Sequence, residues 1–167
     1  MIFFEFADCI ISESKESDVL NNYAASFFKN KMELYHNPLT GSLLVDSTFT
    51  ELESKLKSMN SVCELTIGAN CENLIEKNED KLAYILKTLI DIEKKVKENS
   101  YVVISIRNKS MRLFISINMR CKHEIHTNRA LNKLVNYIRI DKGICMVDDN
   151  KNETAVDILL NNDNGEK

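Results

Sequence analysis

Apolar positions along this chain change their spacing several times, and each change marks an element. Over residues 17–36 they fall at Val19, Leu20, Tyr23, Ala24, Phe27, Phe28 and Met32, a helical period with Ser17 or Asp18 as N-cap. Residues 2–11 are read as the end of another helix. Asn37-Pro38-Leu39-Thr40-Gly41 then interrupts the pattern with a proline and a glycine. Residues 46–59 set Phe49, Leu52 and Leu56 on one helical face behind a capping-type start. Residues 62–68 alternate as a short strand. The strongest stripe runs over 78–98, through Leu82, Ile85, Leu86, Leu89, Ile90 and Val96. Two β-rich runs, 101–106 and 112–119, are joined by Arg107-Asn108-Lys109-Ser110, a hairpin connection without glycine. A helix capped by Thr127 runs to about Ile140 and buries Ala130, Leu131, Leu134, Val135 and Ile138. Strands at 144–147 and 153–160, joined by the polar turn 148–152, complete the pattern. The order predicts an α+β protein: a helical hairpin segment over 1–41, an α/β sandwich over 42–161, and a flexible tail over 162–167. Its sheet is expected to be mixed and largely antiparallel, with helices on one face.

Charge and composition narrow the function. Twenty-two basic residues against 25 acidic ones give a net charge of -3, which argues against nucleic-acid binding by bulk charge. No apolar run reaches the roughly 18–20 residues that cross a bilayer, so no membrane partner is expected. Residues 1–11 lack a basic leader and are interrupted by Glu5 and Asp8, a poor signal peptide. The cysteines, Cys9, Cys63, Cys71, Cys121 and Cys145, are odd in number and scattered, which reads as reduced thiols in a cytoplasmic protein. Cys63 and Cys71 flank a strand and are expected to be buried. Four dispersed glycines offer no phosphate-cradling turn, which argues against a classical nucleotide-binding enzyme. Phe3, Phe4, Phe6, Tyr23, Phe27 and Phe28 crowd the N-terminal arm, and a helix–helix homodimer is the economical way to bury them.

Over residues 49–160 the element order resembles the ATP-binding domain of sensor histidine kinases. ENLIEKNEDKLAYILKTLIDIEKKVKENSYVVISI is similar to that family's N-box helix and following strand, and ALNKLVNYIRIDKGICMVDDNKNETAVDILL to its closing helix and hairpin. At the two N-box positions where the family carries asparagines, one a Mg²⁺ ligand, this chain has Thr88 and Ile92. Where the adenine-binding Asp-x-Gly-x-Gly would follow, it reads Ile117-Asn118-Met119-Arg120-Cys121, and the glycine-rich lid is missing. The resemblance therefore implies a degenerate ATPase domain with no bound ATP or other cofactor.

Such a degenerate form resembles the ChpT-like histidine phosphotransferases, with SFFKNKMELYHNPLTG as the second hairpin helix and its exit. That resemblance implies a histidine-phosphotransferase-like component of a bacterial two-component phosphorelay, docking response-regulator receiver domains and a hybrid histidine kinase. The family's phosphoacceptor histidine belongs to the first helix, and residues 1–11 contain none. The expectation is either a chain whose natural start lies upstream or a non-catalytic, pseudo-histidine-kinase regulatory module. His36 is the candidate acceptor within the chain, although a histidine at a helix end is more often a cap. Cys121, His123 and His126 offer only one thiol and a His-x-x-His, short of a four-ligand zinc set, and no metal is expected. YHNPLTGSLL followed by Phe49 also resembles the opening of a GGDEF domain, which would here lack its signature hairpin.

Overall fold

Ser42 opens the first described helix. Its hydroxyl accepts from Val45 N–H at 3.3 Å and donates to Glu79 Oε2 at 2.8 Å, capping α1 (Leu43–Lys57) and tying it to a later helix. Asp46, expected to open this helix, instead lies in its first turn, where it accepts from Thr40 N–H (2.9 Å) and Thr40 Oγ1 (2.7 Å). The computed structural model describes residues 40–150 and 153–161. The chain divides into two units, Met1–Asn37 and Pro38–Lys167, and every described residue belongs to the second. The helices expected over 2–11 and 17–36, the homodimer argued from their aromatics, the tail 162–167 and His36 lie outside the described residues.

Helix α1 ends in a Schellman turn. Asn60, at φ 54°, donates to Lys57 O, and Ser61 N–H reaches back to Leu56 O. β1 (Val62–Ile67) follows, then a short helix α2 (Glu72–Lys77) absent from the sequence reading. Asn78 separates α2 from α3 (Glu79–Ile92): its side-chain amide donates to Leu74 O at 2.8 Å while its carbonyl accepts from Leu82 N–H. The stripe expected to stay helical to residue 98 stops sooner. A 3-10 turn at Glu93–Lys95 leads into an extended Val96, whose side chain still joins the core.

β2 (Tyr101–Lys109) and β3 (Arg112–Met119) form a hairpin longer than the pattern indicated, because Arg107, Asn108 and Lys109 pair with Phe114, Leu113 and Arg112. The turn is Ser110-Met111, with φ of 53° and 63°. Two left-handed residues match a type I′ turn, whose twist suits a two-residue hairpin but which favours Asn-Gly. Met111 is exposed and has little burial to lose. Ser110→Asn with Met111→Gly is expected to stabilise the domain by about 1–2 kcal/mol, read as a higher urea midpoint at unchanged slope.

α4 (Arg129–Ile140) is capped by Asn128, one residue later than expected, with its Oδ1 accepting from Ala130 and Leu131 N–H groups at 2.8 and 3.3 Å. β4 (Ile144–Asn150) and β5 (Glu153–Leu159) close the fold. The sheet order is β1-β2-β3-β5-β4, with β1 parallel to β2 and every other pair antiparallel. Register places Ile104 opposite Ile117, Ile117 opposite Val156, and Cys145 opposite Ile158, all turned to the buried face. Leu52, Leu56, Ile85, Leu89, Leu131 and Leu134 join them in one core. Each such side chain contributes about 1.5–3 kcal/mol by leaving water. α1 packs on α3, α3 touches α4, and α4 contacts β4. The α+β architecture therefore follows the sequence reading, including a hairpin placed after the closing helix. Among the described residues no helix is long and apolar enough to cross a membrane.

Candidate functional site

The flank of α3 that carries Tyr84, Lys87, Thr88 and Asp91 meets the start of α4 and the flank of α1 at an open cleft of about 870 Å³. Lys55, Lys87, Arg129 and Lys133 line it together with Glu51 and Asp91, and Lys55 pairs with Glu51 at 3.2 Å. Cations thus outnumber carboxylates around its rim. Thr88 also lines the cleft, but its hydroxyl is directed into its own helix, donating to Tyr84 O at 3.0 Å. Ile92 is 1% exposed and belongs wholly to the core. A Mg²⁺ ion demands about six oxygens in octahedral array, and these two positions present none to the cleft.

Beyond β3 the backbone crosses to α4 by residues 120–128. Arg120 Nη2 lies 3.5 Å from Glu153 Oε1, and its guanidinium sits 5.4 Å from the Tyr101 ring centre. Cys121 is buried and bridges to Val96, with Lys97 N–H donating to Arg120 O and Lys122 N–H to Lys95 O, both at 2.8 Å. Ile125 then turns inward, 2% exposed, and anchors the middle of the loop in the core.

Asp149 of β4 holds that anchor in place. Its Oδ2 accepts from Ile125 N–H and, at 2.8 Å, from His126 N–H, while Oδ1 accepts from Thr154 Oγ1 at 2.7 Å. Burial pushes this carboxyl up, but the hydrogen bonds from Thr154, His126 and Ile125 outweigh it and hold the group below its ordinary value. Sequence reading placed Asp149 in a polar turn. The overlooked signal was alternation: Cys145 and Val147 face inward, and period two carries Asp149 to the same face. Ile125 had a signal too, as the one apolar residue in the polar run Lys122–Asn128.

The three side chains once weighed as metal ligands are divided by this arrangement. Cys121 faces inward, where burial pushes its thiol up against a smaller opposing effect from the Thr154 hydrogen bond. His123 and His126 are exposed. Among the described residues no three His, Cys, Asp or Glu side chains gather as a metal set. His126 Nδ1 instead faces two carboxylates, 3.4 Å from Asp149 Oδ2 and 3.6 Å from Glu124 Oε2. Cys63 and Cys145 are buried as well, and burial raises their thiols to about 12 and about 11, which leaves them protonated and inert at neutral pH.

No family model matches the sequence, and no curated protein matches it. Solved structures do. The nucleotide-free catalytic domain of histidine kinase ThkA aligns with a TM-score of 0.58 at 13% identity, covering 71% of this chain and 91% of that one. The Acinetobacter baumannii histidine kinase AdeS aligns with a TM-score of 0.57 at 15% identity, covering 98% of this chain and 95% of that one. The described domain has the fold of a histidine-kinase catalytic domain.

Proposed function

We propose that this chain is a histidine-phosphotransferase-like component of a bacterial two-component phosphorelay, which docks receiver domains of response regulators and of a hybrid histidine kinase without binding ATP. The observation that carries the reading is the short loop over residues 120–128. It stands where the resemblance calls for a glycine-rich lid, and Ile125 and Asp149 fasten it to the sheet. The inward hydroxyl of Thr88 and the buried Ile92 support it, since neither offers an oxygen to a nucleotide's metal ion. A fold kept without the parts that hold a nucleotide suits a surface used for protein recognition.

Mg-ATP is expected to leave the unfolding temperature unchanged. A ligand at a hundred times its Kd stabilises by about 2.7 kcal/mol, which amounts to several degrees for a domain of this size. A shift that grows with nucleotide concentration overturns the ATP-free reading. Receiver domains from the same genome supply the second arm, through pull-down and transfer of labelled phosphate. Binding with transfer supports the phosphotransferase. Binding without transfer assigns the non-catalytic regulatory module, and the absence of both removes the relay.

A further inference from the structure

His126 is placed unlike an ordinary surface histidine. Its own backbone N–H is bonded to Asp149 Oδ2, the same oxygen that lies 3.4 Å from its Nδ1. Asp149 is itself immobilised, because Thr154 occupies its other oxygen and its side chain is only 5% exposed. Glu124 Oε2 approaches the same ring nitrogen to 3.6 Å. In the neutral imidazole both carboxylates favour the tautomer with its proton on Nδ1, the one that leaves the Nε2 lone pair free as a nucleophile. The imidazole is 56% exposed and opens on a hollow of about 460 Å³ lined by Lys122, His123, Glu124 and Thr127. His123, three residues earlier, has no carboxylate within ion-pair distance among the described residues, so it serves as an internal comparison.

We propose that His126 is a phosphoryl-acceptor site, with Nε2 as nucleophile and Asp149 and Glu124 as its positioning residues. The donor class is an acyl phosphate or a phosphoramidate. Nε2 attacks phosphorus as the bond to the leaving group breaks; the bonding pair departs with carboxylate in the first case and with ammonia in the second. The Nδ1 proton stays in place, and the imidazolium formed is balanced by Asp149 and Glu124. The site rests on the relay reading only for the identity of its natural donor.

The test uses the full chain and phosphoramidate, which needs no docked protein, with phosphorus NMR and mass mapping of the labelled peptide. Phosphohistidine at His126, forming faster than at His123 or His36, supports the proposal. His126→Gln should abolish the fast phase of labelling, while His123→Gln should leave that phase intact. Glu124→Gln, an exposed change, should slow the reaction about tenfold at an unaltered unfolding temperature, and Glu124→Asp should restore part of the rate. Label confined to His123 or His36, or equal rates in the wild type and Glu124→Gln, overturns it. Because receiver binding is measured separately, an inert His126 beside bound receivers refutes this site alone. A labelled His126 without receiver binding upholds the site and refutes the relay.

Discussion

Asp149→Ala is expected to lower the unfolding temperature by roughly 10 °C. The substitution removes the acceptor of three donors at once: Thr154 Oγ1, Ile125 N–H and His126 N–H. Water can replace the bond at exposed His126 but reaches Thr154, 1% exposed, poorly. A donor left unsatisfied in the interior costs about 1–3 kcal/mol. The total comes to about 3 kcal/mol, and each kcal/mol shifts the midpoint of a domain this size by about 3–4 °C. Hydrogen exchange at Ile125 and His126 should accelerate while the amides of β2 and β3 stay protected, since the loop is released before the sheet.

The acid limb provides an independent check. The folded carboxyl of Asp149 sits below its ordinary value, so its contribution is fully present above the ordinary carboxylate range and is lost as pH falls through the depressed value. Wild type and Asp149→Asn should therefore differ most near neutrality and converge below about pH 4 in urea midpoint. Parallel curves down to acid pH would show that Asp149 acts by shape rather than by charge.

The legibility of this fold in its sequence divides along physical lines. Elements whose stripe spans several turns or a full strand were visible, because burial is periodic there: Leu82 through Ile90 on α3, Leu131 through Ile138 on α4, and the alternation of β3. Boundaries set by a single hydrogen bond were not. Ser42 rather than Asp46 opens α1, and Asn128 rather than Thr127 caps α4, since both members of each pair are good caps and tertiary contacts decide between them. Helix α2 was hidden because six residues with two buried positions carry no measurable period. The candidate site was the least legible part. Asp149 and His126 are remote in sequence, and only the pairing of β4 with β5 and the inward turn of Ile125 bring them together.

The end of α4 supports the second large effect. Lys142 adopts φ 58° and Gly143 follows it, with Lys142 N–H bonded to Arg139 O and Gly143 N–H to Ile138 O, the paired bonds of a Schellman turn. Glycine usually occupies the left-handed position of that motif, but here it stands one residue beyond. The reason is steric: a Cβ at Gly143 would lie 2.8 Å from Ile138 Cγ2 and 2.9 Å from Leu159 O. Ile138 is fully buried and Leu159 O belongs to a central-sheet backbone, so neither can yield cheaply. Gly143→Ala is expected to destabilise by about 2–3 kcal/mol, as overpacked sites do. Lys142→Gly should change stability in the opposite sense by about 1 kcal/mol, because it relieves the left-handed strain without adding an atom. Urea unfolding of both variants decides between the two roles. A loss at Lys142→Gly as well would mean that the Lys142 side chain contributes more than its left-handed backbone costs, whereas opposite signs place the strain at Lys142 and the close approach at Gly143.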